Sequence, residues 1–250
     1  YKSEDGGKSW SLLPNTTSDA TTFDSYFDIV MAVEVDPTAP TDGTAGTDSE
    51  VYAAVHDRLY RTVDGGSTWT PVLTGDTTGT GNAARWTDVE VTSGGDIYAA
   101  LGSGGDRSGL FYSATGEAGS WTDITPEEWP VTSFKRTVLA ANPSDSTEVW
   151  AVTAGGAAGT GPNGHELWKY DRDTETWTDS PEYLPDRNPG GFVGSFNSQR
   201  SYNLLVKVLP DDGDIVFVGG VNLWRIDVST SDSDPAAWIG GYGVGGGGFY

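Results

Sequence analysis

Two carboxylates, two imidazoles and a cluster of aromatics are the side chains in this sequence whose types and places could do chemistry. Asp28 and Asp88 fall near the starts of two strand-like runs. Glycoside hydrolysis requires such a pair across a cleft, roughly 5 Å apart when retaining and roughly 6.5–9.5 Å when inverting. The comparable place in a later run holds Asn203, which has no acid or base to offer. His56 and His165 are the only histidines, and both fall in loops. Tyr183, Phe192, Phe196 and Arg200 gather in the Pro- and Gly-rich segment 180–200. Aromatics there suit stacking on sugar rings or anchoring a protein partner, and the competing reading is that they pack the loop onto its own scaffold. We therefore take Tyr183, Phe192, Phe196, Arg200, His56 and His165 as the candidate ligand-binding residues. No cofactor is expected. The acidic stretch from Asp36 to Glu50 has oxygen donors for Ca²⁺, but their spacing matches no compact calcium loop. Gly155-Gly156 and the run Gly245 to Gly248 precede no helix and are not phosphate loops.

Composition narrows the classes further. The chain has 36 acidic and 14 basic residues among 250, a net charge of −22. That sign opposes binding to nucleic acid or anionic lipid. No apolar run approaches the roughly 18 residues of a helical span, so no membrane insertion is expected. There is no cysteine, which excludes a disulfide framework and thiolate metal sites. The acidity is spread along the chain and reads as the solvated surface of a secreted or cell-surface protein.

The elements that must position these side chains are repeated. Trp10, Trp69, Trp121, Trp177 and Trp238 recur at spacings of 59, 52, 56 and 61 residues. Each interval carries four strand-like runs bounded by Gly, Pro, Asp or Asn. The first set runs Phe27 to Val35, Glu50 to Val55, Arg58 to Val63 and Ser67 to Val72. The second runs Trp86 to Thr92, Asp96 to Leu101, Leu110 to Ser113 and Ser120 to Ile124. The third runs Lys135 to Ala141, Glu148 to Val152, Glu166 to Tyr170 and Thr176 to Thr178. The fourth runs Tyr202 to Leu209, Asp214 to Val218 and Asn222 to Asp227, with a weak last strand near Trp238. Four strands at a period of about 57 residues predict an all-β protein, a β-propeller of four-stranded antiparallel blades. Residues 1–250 read as a single propeller segment with an incomplete ring of about four and a half blades. The sequence starts in the middle of a hairpin pattern, and we expect further blades of the same polypeptide on both sides.

Two of the turns carry a family signature. Ser3-Glu4-Asp5-Gly6-Gly7-Lys8-Ser9-Trp10 and Thr62-Val63-Asp64-Gly65-Gly66-Ser67-Thr68-Trp69 resemble the Asp-box, Ser/Thr-x-Asp-x-Gly-x-Ser/Thr-Trp, of BNR-repeat β-propellers. That group includes sialidases, xyloglucan-degrading glycoside hydrolases and sortilin-type receptors. The resemblance implies structural roles for Ser3, Asp5, Gly7, Trp10, Thr62, Asp64, Gly66 and Trp69. The aspartate caps turn N–H groups, the glycines take positive φ, and the tryptophan buries against the strands. Later copies drift; Ser113 to Trp121 has lost the aspartate and gained a residue.

These turns join the third and fourth strands, so the opposite end of each blade is the expected functional face. The reading is a non-catalytic binding or scaffolding propeller of a secreted or cell-surface bacterial protein, with a protein or polysaccharide partner at that face. The alternative is a glycoside hydrolase of the xyloglucan-degrading type using Asp28 and Asp88. A sialidase would need an arginine cluster, and no matching motif surrounds Arg85, Arg136 or Arg200.

Overall fold

The computed structural model describes residues 1–13, 15–16, 22–23, 25–39, 50–129, 134–154, 164–185, 196–199, 201–230 and 236–241. Phe192, Arg200 and most of the acidic stretch 36–50 lie outside them. The chain divides into two compact units, Tyr1–Ile124 and Thr125–Tyr250.

The first unit holds two four-stranded antiparallel modules. One is β1 (Val30–Val35), β2 (Val51–Val55), β3 (Arg58–Thr62) and β4 (Thr70–Thr74); the other is β5 (Thr87–Val91), β6 (Ile97–Leu101), β7 (Gly109–Ser113) and β8 (Thr122–Asp123). Each is a simple meander in chain order. The second unit repeats the plan with β9 (Thr137–Asn142), β10 (Asp145–Ala154), β11 (His165–Asp171) and β12 (Thr176–Asp179), then β13 (Leu205–Leu209), β14 (Asp212–Gly219), β15 (Leu223–Asp227) and β16 (Ala236–Gly240). The strand near Trp238, weak in the sequence, is a full five-residue strand paired with β15.

β6, the second strand of its module, is buried on both faces, which is why it reads as the unbroken apolar run Ile97-Tyr98-Ala99-Ala100-Leu101. In the first unit one core joins Tyr52, Ala54 and Leu73 of the first module to Val89, Val91 and Ala99 of the second. In the second unit Val138, Ala140, Trp150 and Val152 meet Val206, Val208, Val216 and Val218. Small residues let the sheets approach. A Cβ at Gly116 would overlap the Tyr52 hydroxyl, and φ there is +64°, so the position demands glycine on both counts.

Register shows the modules to be copies of one plan. Tyr52 pairs with Arg61, Tyr98 with Tyr112 and Trp150 with Lys169. The residue two before each aromatic is acidic and engages the partner: Arg61 Nε donates to Glu50 at 2.7 Å, Tyr112 Oη to Asp96 at 2.8 Å, and Lys169 Nζ to Glu148 at 2.7 Å. The fourth module pairs Phe217 with Arg225, and Ile215 stands where the acid would be.

The two capped turns behave as their residues dictate. Asp5 accepts from Lys8 N and Ser9 N at 2.9 Å and from Ser9 Oγ at 2.7 Å. These bonds hold its carboxyl down at about 2, with the Ser9 hydroxyl contributing most. Asp64 accepts from Thr68 N at 2.8 Å and Thr68 Oγ1 at 2.6 Å, and Thr62 Oγ1 receives Gly66 N at 2.9 Å. The expected burial of tryptophan does not hold at Trp10. It is exposed, its indole folded back onto its own turn with Nε1 donating to Gly7 O at 3.1 Å. Trp69 is half-buried against Phe27, ring centroids 5.3 Å apart. Trp69 and Trp121 also lie just before β4 and β8, not inside them.

Replacing Asp64 by Ala should lower the unfolding free energy by about 1–2 kcal/mol at pH 7, the scale of a lost capping side chain. The native carboxyl is depressed, most of all by its bond from Thr68. Its stabilisation is therefore present above the ordinary carboxylate range and is lost as pH falls below it. Urea unfolding at a series of pH values checks both points; an equal deficit at every pH would show that the charge is irrelevant.

Candidate functional site

The meander order puts the β2–β3 and β6–β7 turns, and the segments leading into β1 and β5, at the end of each module away from the capped turns. In the first unit this end carries a groove of about 450 Å³ lined by Phe23, Ser25, Tyr26, Asp28, Ile29 and His56. It is built on a short 3-10 turn, Tyr26–Asp28. Ser25 Oγ accepts from Phe27 N at 3.0 Å while Asp28 Oδ2 accepts from Ser25 N at 2.6 Å, a reciprocal capping box. Phe27 anchors the turn inward on Tyr60 and Trp69, with centroids 4.6 and 5.3 Å away. Tyr26 is thereby turned outward. The Arg58 guanidinium lies 3.6 Å from its ring centroid and pairs with Asp57 at 3.2 Å. One ring face rests on a fixed cation and the residue remains exposed, which makes a preorganised stacking platform. Phe23 is exposed beside it.

Asp57 secures this end. It is buried, with φ +74°. Its Oδ1 accepts from Asp76 N and from Ala84 N, both at 2.9 Å, so one carboxylate ties the β4–β5 connection to the β2–β3 turn. Beyond it Asp76 accepts four successive N–H groups, from Thr78 to Gly81. Its charge is satisfied by backbone donors. Among the described residues no three His, Asp or Glu side chains gather as a metal ion would require.

The second unit carries a groove of about 420 Å³ at the corresponding end, lined among others by Arg136, Tyr202, Asn203 and Asn222. The loop before β13 is held tightly. Arg136 Nη1 donates to Tyr202 O at 2.8 Å, Val221 N to Asn197 O at 2.8 Å, and Asn203 Nδ2 to Gln199 Oε1 at 2.9 Å. Gly220 is obligatory, since a Cβ there would fall 2.2 Å from Asn197 O. Gln199 and Ser201 take φ of +51° and +76°, at a cost of about 1 kcal/mol each. The strained loop leaves Tyr202 exposed.

The residues expected from sequence are distributed differently. Asp28 and Asp88 do not occupy equivalent places. Asp28 lies in the turn before β1, whereas Asp88 is inside β5 opposite Ala100, level with Ala32 of β1, which faces Ala54. The Asp28 carboxylate is moreover engaged in its cap. His165 and Phe196 come together, but in the interior: both are buried, with ring centroids 5.0 Å apart. His165 Nε2 and Ser198 Oγ are hydrogen-bonded at 2.6 Å, and Ser198 Oγ also accepts from Ser201 N at 2.9 Å. A serine–histidine pair can activate a nucleophile, yet burial withholds this one from substrate, and it serves to pin the loop. Tyr183 is half-buried and donates to Val228 O at 3.2 Å. Packing of the loop onto its own module thus accounts for Phe196, His165 and Tyr183. Of the expected residues, Asp28 and His56 share a groove. Sequence reasoning missed Tyr26, Phe23, Tyr202 and Arg136. The Ser25-x-x-Asp28 spacing was a readable signal for the first pair; nothing local marks the second.

No protein family and no curated protein matches this sequence. Solved structures do. A GH74 enzyme of Niastella koreensis superimposes with TM-score 0.64 at 19% identity, over 93% of this chain and 33% of its own. The GH74 xyloglucanase of Xanthomonas campestris gives 0.56 at 18%, over 84% and 30%. An auxiliary nutrient binding protein of Bacteroides ovatus gives 0.50 at 17%, over 88% and 43%. This chain has a β-propeller fold. It spans about a third of the length of the two GH74 structures, and at these identities the likeness concerns the fold of the blades. Among the described residues no helix is long and apolar enough to cross a membrane.

One titratable group at the loop end of the third blade is displaced. Partial desolvation at the strand end, with Glu166 and Glu182 nearby, pushes Asp179 up to about 6 although the residue keeps an exposed face. A carboxyl raised in the folded state favours folding when protonated, so its contribution fades as pH rises from about 4 to about 6. Asp179→Asn should raise the thermal midpoint at pH 8 by about a degree, solvent screening keeping the gain small, and leave it unchanged at pH 4. A calorimetric scan at both values checks this; equal midpoints at pH 8 would refute it.

Proposed function

We propose that this chain is part of an Asp-box propeller that binds polysaccharide at the loop ends of its blades, without cleaving it, as a module of a longer secreted or cell-surface protein. The observation that carries the reading is Tyr26, laid on Arg58 and open on its outer side, beside Asp28 and His56. A tyrosine platform flanked by a carboxylate and an imidazole offers a sugar ring an apolar face to stack on and hydrogen-bond partners for its hydroxyls. Tyr202 with Arg136 and Asn203 repeats that chemistry in the second unit. The capped turns at the opposite end, with Asp5 and Asp64 saturated by their own loops, support a structural role for Ser3, Gly7, Thr62 and Gly66. A xyloglucanase and a nutrient binding protein among the similar folds make xyloglucan the first ligand to test. The hydrolase alternative is disfavoured by the place of Asp28 in its cap and by its mismatch in register with Asp88.

Affinity electrophoresis through gels containing xyloglucan tests the reading, with mixed-linkage glucan and a charged pectin alongside. Retardation is expected on a neutral glucan, with Tyr26→Ala and Tyr202→Ala each weakening it about tenfold, or about 1.4 kcal/mol. Absence of retardation on every polysaccharide would refute the binding role. Release of reducing sugar that disappears in Asp28→Asn or Asp88→Asn would replace it with the enzyme.

A further inference from the structure

The first blade has an inner-strand face that its siblings cover. Register aligns Val33 and Val35 of β1, opposite Ala53 and Val51, with Val89 and Val91 of β5, opposite Ala99 and Ile97. The same positions in β13 are Val206 and Val208. In the second and fourth blades these valines pack on the preceding blade and are nearly inaccessible, at 1% and 8% for Val89 and Val91 and 1% and 6% for Val206 and Val208. Val33 and Val35 are 55% and 54% exposed. Beside them lies a cavity of about 530 Å³ lined also by Val51, Ala53, Phe27 and Trp69.

Residues 1–13 already supply half of a covering module. Lys2 and Ser11 exchange both backbone hydrogen bonds at 2.8 Å, in the register of Arg61 with Thr70. Leu13 packs over Gly66, 2.8 Å from where a Cβ would stand. Val72, its counterpart one blade later, lines a pocket with Glu117 and Ala118 beside the turn of the second blade. Residues 1–13 therefore hold the place of a third and fourth strand, joined by the Lys2–Ser11 bridge and seated on blade one through Leu13. What would complete the layer is a first and second strand.

We propose that this face takes a two-stranded antiparallel hairpin with the blade's own inner-strand chemistry. Its second strand carries an acidic residue, then a β-branched one, then an aromatic, then small residues. That is the order of Glu50-Val51-Tyr52-Ala53, Asp96-Ile97-Tyr98-Ala99 and Glu148-Val149-Trp150-Ala151. The aromatic and small side chains fill the cavity against Val33 and Val35. The acidic residue meets Lys2, which stands where Arg61 meets Glu50 and Lys169 meets Glu148. The inference is independent of the ligand reading.

The test appends a copy of residues 86–110 directly before Tyr1, so that Leu110 of the copy leads into Tyr1 as it leads into Phe111 in its own blade. The fusion should melt about 5 °C or more above the parent chain and lose most of the parent's binding of an apolar-surface dye. A control with Tyr98→Asp and Ala100→Asp in the copy should do neither. Fusion and control behaving alike would overturn the proposal. So would a stable dimer of the parent chain, by sedimentation, in which the β1 amides are protected from exchange, because the face would then belong to a second copy. If the fusion is insoluble, a peptide of residues 86–110 added to the parent chain should shift the methyl signals of Val33 and Val35, and no shift at saturating peptide would equally overturn it.

Discussion

Everything in this structure depends on sheet faces packing flat against one another through small and β-branched side chains. A four-stranded meander of about five residues per strand cannot bury enough apolar surface alone. Stacking supplies the rest. Each valine removed from water contributes about 1.5–3 kcal/mol, and the alanines at Ala54, Ala99 and Ala140 keep the sheets close enough for that contact. The polar features, including the cross-strand acid–cation pairs and the capped turns, fix register and turn geometry around this packing.

This division of labour leaves the loop ends free to vary. The Asp57 carboxylate, the capping box at Ser25 and Asp28, and the bonds around Asn197 and Gln199 each hold one loop against a rigid blade. Tyr26, held against Arg58, and Tyr202 are left facing solvent. Under the proposed binding role, such presentation would leave little side-chain freedom to be lost when a ligand docks.

The blades were legible in the sequence because their second strands, such as Val51–Val55 and Ile97–Leu101, are apolar on both faces and their turns use Gly, Asp and Asn. That pattern located the four sheets of the described residues and the order of their strands. Details set by longer-range contacts were not legible. The tryptophans mark the period, yet Trp10, Trp69 and Trp121 belong to the turns before the outer strands, and the cover each receives depends on a neighbouring element. Phe196 and His165 looked like loop residues and are interior ones, since Ser198 and the core beneath β13 draw that loop inward. Asp28 and Asp88 looked equivalent because both stand near a strand start. The 3-10 turn before β1 and the irregular pairing between Val30 and Ala32 shift the count by residues that no local pattern reveals.

The central claim, that packing between neighbouring blades holds each unit together, is tested most directly by placing the same charge at two equivalent strand positions. In urea unfolding followed by tryptophan fluorescence, Val89→Asp should abolish the cooperative transition of the first unit, whereas Val33→Asp should leave its midpoint nearly unchanged. Equal losses at the two sites, or a tolerated Val89→Asp, would contradict the account.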